Sequence, residues 1–300
     1  MLVHGQLLPP LHQDIWQHWN WNPTFILVLG LVIWAYLRGV QKVWLRAGVG
    51  QVIGRWQPAA FILGLATLFI ALNSPLDAWA TALFSAHMLQ HLLLILVAAP
   101  LLVSGAPLVP LLWALPKRVR QGIASYWNRI SIIQKLWHGL NQPLLVWFLY
   151  AVILWLWHLP YLYQLALTQD WVHQLEHITF LGAALLWWWV VIQPTGYRRY
   201  KRGSNILLIF TTALHGGALG ALITFARVPL YPVYAPTVAA WELTLLEDQQ
   251  LAGLVMWIPS SVVYVVTAVT LFLSWLAALE QKMGQTEEKL RKKLLISKEM

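Results

Sequence analysis

Cysteine is absent from the 300-residue chain. Disulfides, thiolate metal sites, cysteine nucleophiles and thiol redox chemistry are therefore excluded. Charge is scarce as well: Lys, Arg, Asp and Glu make up 10% of the residues, against roughly 25% in a soluble domain. No Gly-rich phosphate loop of the P-loop type, no Ser-His-Asp arrangement and no internal repeat occurs. The opening stretch MLVHGQLLPPLHQDIWQHWN lacks the basic start and apolar core of a signal peptide. The first apolar stretch is thus expected to stay in the mature protein.

What the chain has in quantity is apolar surface. Hydrophobic residues make up 59% and the mean hydropathy is +0.61. A membrane span needs about 20 mostly apolar residues, and seven candidates stand out: 23–38, 57–73, 79–103, 143–159, 172–193, 204–225 and 250–278. The 20 tryptophans fit this reading, because indole rings favour the headgroup interface. PLVPLLWALP at 107–116 is too short and too rich in proline to cross, and reads as a re-entrant or interfacial piece. The expectation is an all-α polytopic membrane protein, a seven-transmembrane-helix bundle over 23–280 in contact with the lipid bilayer. An extracytoplasmic segment, 1–22, precedes it and a charged cytoplasmic tail, 281–300, follows.

Assigning the loops alternately to two sides places 19 of the 20 Lys and Arg residues on one side, leaving only Arg227 on the other. The positive-inside rule makes the basic side cytoplasmic, with the N-terminus outside and the C-terminus inside. The net charge of +9 is then a topology signal, and no nucleic-acid partner is expected. In the tail, Glu287/Arg291 and Glu288/Lys292 have the spacing of weak helical ion pairs.

Six histidines fall within the spans, at mid-membrane depth or toward the outer face: His87, His91, His158, His173, His177 and His215. A lone imidazole in a bundle usually makes an interhelical hydrogen bond, which is the ordinary reading of His158 or His215 taken singly. His87/His91 in HMLQH and His173/His177 in HQLEH differ, because i,i+4 spacing puts both rings on one helix face. Polar groups in spans tend to face the bundle interior and mark function. Two pairs at matched depth point to a shared metal site. Imidazole suits copper, zinc, iron and nickel, and thioether sulfur favours Cu(I), which brings in Met88 and Met256; both can equally be packing residues. Glu176 and Asp248 read as supports that orient a histidine tautomer, with Gln249 and His215 as further supporting residues. In DQQ at 248–250, Asp248 also suits a helix N-terminus. Pro259 is expected to kink the last span, with Ser260 and Ser261 satisfying freed carbonyls. HQLEH also matches the inverted zinc-protease pattern H-x-x-E-H, and facing histidines on adjacent spans can ligate haem. Haem and zinc are the alternatives to copper. His4, His12 and His18 read as interface residues, with metal gathering as the alternative.

Several stretches resemble a known family: HMLQHLLL at 87–94, PLLVSGAPL at 100–108, WHLPYLYQLAL at 157–167, HQLEHITFLGAALLWWWVV at 173–191, LGALITFARVPLYPVY at 219–234 and DQQLAGLVMWIP at 248–259. Together, over roughly 70–270, they resemble the CtaG-type cytochrome c oxidase assembly factors, seven-span proteins of bacterial plasma membranes. The resemblance implies a multi-pass inner-membrane protein, not an enzyme, that helps mature a haem–copper oxidase by handling copper, with oxidase subunits as partners. It also implies that His87, His91, His158, His173, His177 and Asp248 occupy recurrent polar positions of the family. A scaffold that holds oxidase subunits without binding metal is the remaining alternative.

Overall fold

A computed structural model of the chain describes residues 18–140, 142–192 and 202–299. His4, His12, Arg198, Arg199 and Lys201 lie outside the described residues, as do the Arg291 and Lys292 side chains of the tail pairs. The described residues contain helices and no strand. In chain order the helices are α1 (Pro23–Ala47), α2 (Gln57–Asn73), α3 (Pro75–Ala82), α4 (Phe84–Leu92), α5 (Ala99–Ser104), α6 (Leu108–Ala114) and α7 (Lys117–Arg129). They continue as α8 (Ser131–Leu140), α9 (Pro143–Trp157), α10 (Pro160–Thr168), α11 (Asp170–Ile192), α12 (Arg202–Phe225), α13 (Ala235–Val238) and α14 (Leu245–Glu299). A π-helical segment, Leu93–Ala98, joins α4 to α5.

Proline sets many of the starts. Its missing N–H costs nothing at the first helical position, and α1, α3, α9 and α10 each begin on one. Asn22 caps α1 by accepting from the Thr24 and Phe25 amides at 3.0 and 3.1 Å. The residue before a proline is driven to extended backbone, so Ser74 and Leu159 break the chain ahead of Pro75 and Pro160. These breaks bend α3 by 47° from α2 and α10 by 73° from α9. Among the described residues, five helical stretches are long and apolar enough to cross a membrane, or up to seven if each bent pair counts as one span.

The expected third span, 79–103, is not continuous. Leu83 is extended (φ −132°, ψ 134°), so residues 79–82 close α3 and the span proper starts at Phe84. Its π-helical segment precedes Pro100, which has no amide to offer the i−4 carbonyl. The wider turn places an Ile95 carbonyl where Trp188 Nε1 donates to it at 2.8 Å. The tail continues the last span as helix: α14 runs unbroken from Leu245 through Pro259 to Glu299. Ser260 and Ser261 donate to the Met256 and Trp257 carbonyls, one and two residues past the Val255 carbonyl that Pro259 leaves without an amide.

Two apolar cores result. The larger is shared by α4, the π segment, α5, α9, α11, α12 and α14, around Phe84, Phe180, Trp187 and Ile209. The smaller joins α1, α2 and α5 through Tyr36, Val40, Phe61 and Leu102. The segment at 107–116 contributes α6, which packs so closely on α1 that a Cβ on Gly39 would fall 1.8 Å from the Pro110 carbonyl oxygen. Large apolar side chains such as Leu27, Leu31, Val262 and Val265 point outward, as a lipid-facing surface requires.

Candidate metal centre

The histidine pairs lie on α4 and on α11, which packs against the π segment and α5 that continue α4. Helical spacing places His87 and His91 on one face of α4, and His173, Glu176 and His177 on one face of α11. These faces meet. Ring centroids are 4.3 Å apart for His87–His91 and for His173–His177. Across the helices they are 5.4 Å for His87–His173, 5.3 Å for His91–His177 and 6.3 Å for His87–His177. Glu176, 1% exposed, enters between them. Its carboxylate oxygens lie 3.7 Å from His87 Nε2 and 3.9 Å from His91 Nε2. Those distances are too long for hydrogen bonds.

Among the described residues, two donor sets have their ligand atoms within 4.8 Å of one another: His87, His91 and His177; and His87, His173 and Glu176. His87 belongs to both. The first set is all imidazole, and the second includes a carboxylate, the harder ligand.

The His158 tautomer suits a cation in this space. His87 Nδ1 lies 3.4 Å from the Tyr234 hydroxyl, and His158 Nδ1 lies 2.7 Å from the Leu154 carbonyl, which only accepts. The His158 ring therefore presents Nε2 as a lone pair. His87 Nε2, both His91 nitrogens, His158 Nε2, His177 Nε2 and both Glu176 oxygens are buried without a hydrogen-bond partner. Each such atom costs roughly 1–3 kcal/mol. A set dominated by lone pairs suits a cation. An imidazole that donates its other N–H to a carbonyl is the usual arrangement of a metal ligand.

The supporting residues act through the backbone. Asp248 opens α14 yet caps α4: it accepts from the Phe84 amide at 2.7 Å, from the Ser85 amide at 3.1 Å and from the Ser85 hydroxyl. A fully buried carboxylate thus meets the positive end of the histidine helix. Gln249 accepts from the Leu230 amide and donates to the Ile223 and Val228 carbonyls at 3.4 Å, fixing the loop before α13. That loop delivers Tyr231 and Tyr234. The Tyr234 hydroxyl is 2.6 Å from that of Tyr163 and 3.4 Å from His87 Nδ1, and burial holds its phenol well above the ordinary tyrosine range. Gln90 donates to the Ala71 carbonyl and Asp77 at 2.8 and 2.9 Å, tying α4 to α2 and α3. Sequence reasoning did not single out Tyr163, Tyr234 or Gln90; their signal was only membership of the WHLPYLYQLAL, LYPVY and HMLQH stretches.

The remaining candidates lie elsewhere. His158 shares Phe180 with His91, at centroid distances of 6.2 and 4.7 Å, so it borders the cluster. Met88, turned about 100° from His87 around the helix, is packed in the apolar core. Met256 lines a separate cavity of about 40 Å³ with Tyr150, Thr212, Ser260 and Tyr264, into which none of the clustered histidines projects. His215, expected as a support, lies beside Trp147 and Tyr150 at 5.7 and 6.3 Å instead. His18 is exposed.

No solved structure matches the chain. Uncharacterized proteins of Mycobacterium bovis and Mycobacterium tuberculosis are each 25% identical over 248 residues, covering 81% of this chain and 37% of the relative. One of Mycobacterium leprae is 24% identical over 265 residues, covering 87% of this chain and 39% of the relative. The chain therefore spans less than two-fifths of the length of these curated relatives. Residues 34–278 match the family described as cytochrome c oxidase caa3 assembly factor (Caa3_CtaG), a wider stretch than the motifs between 70 and 270 suggest. With α2 to α12 and most of α1 and α14 inside that match, the chain belongs to the cytochrome c oxidase caa3 assembly factor family.

Proposed function

We propose that this chain takes up copper as cargo at the α4–α11 histidine cluster and passes it to a haem–copper oxidase during assembly. The observation that carries the reading is the convergence of four imidazoles and one carboxylate, most of them with orphaned lone pairs, inside an apolar bundle. His87, His91, His173, His177 and Glu176 are the ligands, and His158 borders them. Because His87 belongs to both donor sets, an ion can change sets by exchanging the other ligands while remaining bound. Imidazole must be neutral to bind, so uptake releases protons, and Glu176 lies where it can accept one. No turnover is required, which fits an assembly role. Haem fits less well, since a porphyrin needs a flat open slot and these rings pack edge to face with a carboxylate between them.

The chain crosses a bacterial plasma membrane seven times, with each bent pair counted as one span. The N-terminus is outside and the basic loops are inside. The cluster then opens toward the outer half, at the α4 and α11 N-terminal ends. The oxidase is the partner that receives the ion.

In cells lacking the chain, complementation with wild type or with His87→Ala/His177→Ala tests this. The variant is expected to accumulate in the membrane while the oxidase purified from those cells carries haem but is depleted in copper. A copper-replete oxidase from cells bearing the variant contradicts the proposal and leaves scaffolding as the better account.

A further inference from the structure

Positive charge gathers where α1, α6 and α7 meet. Trp113, near the end of α6, is flanked by two guanidiniums: Arg120 at 4.0 Å and Arg46 at 5.7 Å from the ring centroid. Lys42, one turn before Arg46, donates to the Ala114 carbonyl at 3.0 Å, which holds its ammonium beside the same tryptophan. Lys42 and Arg120 are half-buried. Among the described residues, no carboxylate lies within ion-pair distance of the three. The sequence explains why: residues 15–169 contain nine Lys and Arg but one carboxylate, Asp77, and that one accepts from Gln90.

Three cations around one indole, two of them half-buried, repel one another unless an anion joins them. Guanidiniums stacked on an aromatic face keep their N–H edges free, and those edges match phosphate oxygens in pairs. Apolar surface lies next to Arg120 on its own helix. Beyond Lys117, Arg118 and Arg120, α7 exposes Val119, Ile123 and Tyr126, the pattern of a helix lying in a membrane interface. Basic pockets between membrane helices are known to hold acidic headgroups.

We propose that this corner binds one anionic glycerophospholipid, its phosphate held by Lys42, Arg46 and Arg120 and its acyl chains lying beside the exposed apolar face of α7. The site is separate from the histidine cluster and does not depend on it.

Native mass spectrometry of the full chain in detergent, titrated with phosphatidylglycerol, phosphatidylcholine or inorganic phosphate, tests it. Wild type is expected to keep one phosphatidylglycerol under conditions that strip phosphatidylcholine. Arg46→Gln/Arg120→Gln should weaken that binding about 25-fold, at about five-fold per cation, while Arg129→Gln/Lys135→Gln should leave it unchanged. Thermal unfolding without added lipid separates lost binding from misfolding. If the double variant unfolds early, Lys42→Gln reads the same site with an expected five-fold loss. Equal retention of the two lipids, or undiminished phosphatidylglycerol binding in the variants, overturns the proposal. Displacement of the lipid by millimolar phosphate also overturns it, assigning the corner to a free anion.

Discussion

Asp248→Ala should damage the metal centre without touching it. Asp248 meets α4 through the Phe84 and Ser85 amides and the Ser85 hydroxyl, and Leu83 before them offers no side-chain cap. Truncation orphans two buried N–H groups at roughly 1–3 kcal/mol each. Removing a buried carboxylate returns part of its desolvation cost, so the net loss is expected in the lower half of that sum, about 2–4 kcal/mol. The first turn of α4 loses its anchor, and His87 lies one turn in from Phe84. Loss of such an outer support typically costs 10–100-fold in metal affinity. The assay is competitive copper titration against a chelator, with thermal unfolding in the same detergent. Asp248→Asn keeps one acceptor oxygen but turns an amide N–H toward a donor, so it should fall between the two. Glu247→Gln is the control, because Glu247 is exposed and bonds only its own helix start at Thr244. If Asp248→Ala matches that control in both melting and affinity, the claim that α14 positions the histidine helix is wrong.

Glu176→Gln should weaken Cu(II) more than Cu(I), by about ten-fold or more for the former, because it removes the one hard ligand; paired titrations with and without reductant read the difference. Copper affinity in wild type should rise with pH, since protons compete for the same ring nitrogens; a flat profile across the imidazole range speaks against histidine ligation. Gly253→Ala should cost about 1–3 kcal/mol, because its Cβ would fall 2.3 Å from Thr224 Oγ1 where α14 crosses α12; Gly182→Ala, with nothing within 4 Å, should not destabilise. The cysteine-free background suits labelling of the topology: Val228→Cys, exposed beside Arg227, should react from outside, and exposed Val52→Cys only after the membrane is opened.

The helical character of the chain was legible because apolar runs of span length have few other uses. The i,i+4 pairs were legible for a similar reason, since spacing fixes which side chains share a face of one helix. Which faces meet was not. His215 lies at a depth similar to that of the cluster but faces Trp147 and Tyr150, and mid-span depth alone does not reveal this. The break at Leu83 was hidden too. No proline or glycine marks it, and the cap that makes it possible comes from Asp248, 164 residues along the chain from Phe84. Tyr163 and Tyr234 illustrate the same limit: an aromatic in an apolar span or loop reads as packing until a partner hydroxyl 2.6 Å away shows otherwise. Met88 and Met256 left ligation and packing both open in the sequence; Met88, about 100° round the helix from His87, packs in the larger core, and Met256 lines a cavity apart from the cluster.

The most direct test is copper stoichiometry and X-ray absorption of the detergent-purified chain, loaded under reducing conditions, for wild type and His87→Ala/His91→Ala. The account predicts about one copper per wild-type chain, surrounded by nitrogen and oxygen with imidazole scattering and no sulfur, and almost none in the variant. Sulfur in the copper shell, or no copper retained by a folded wild-type chain, would contradict it.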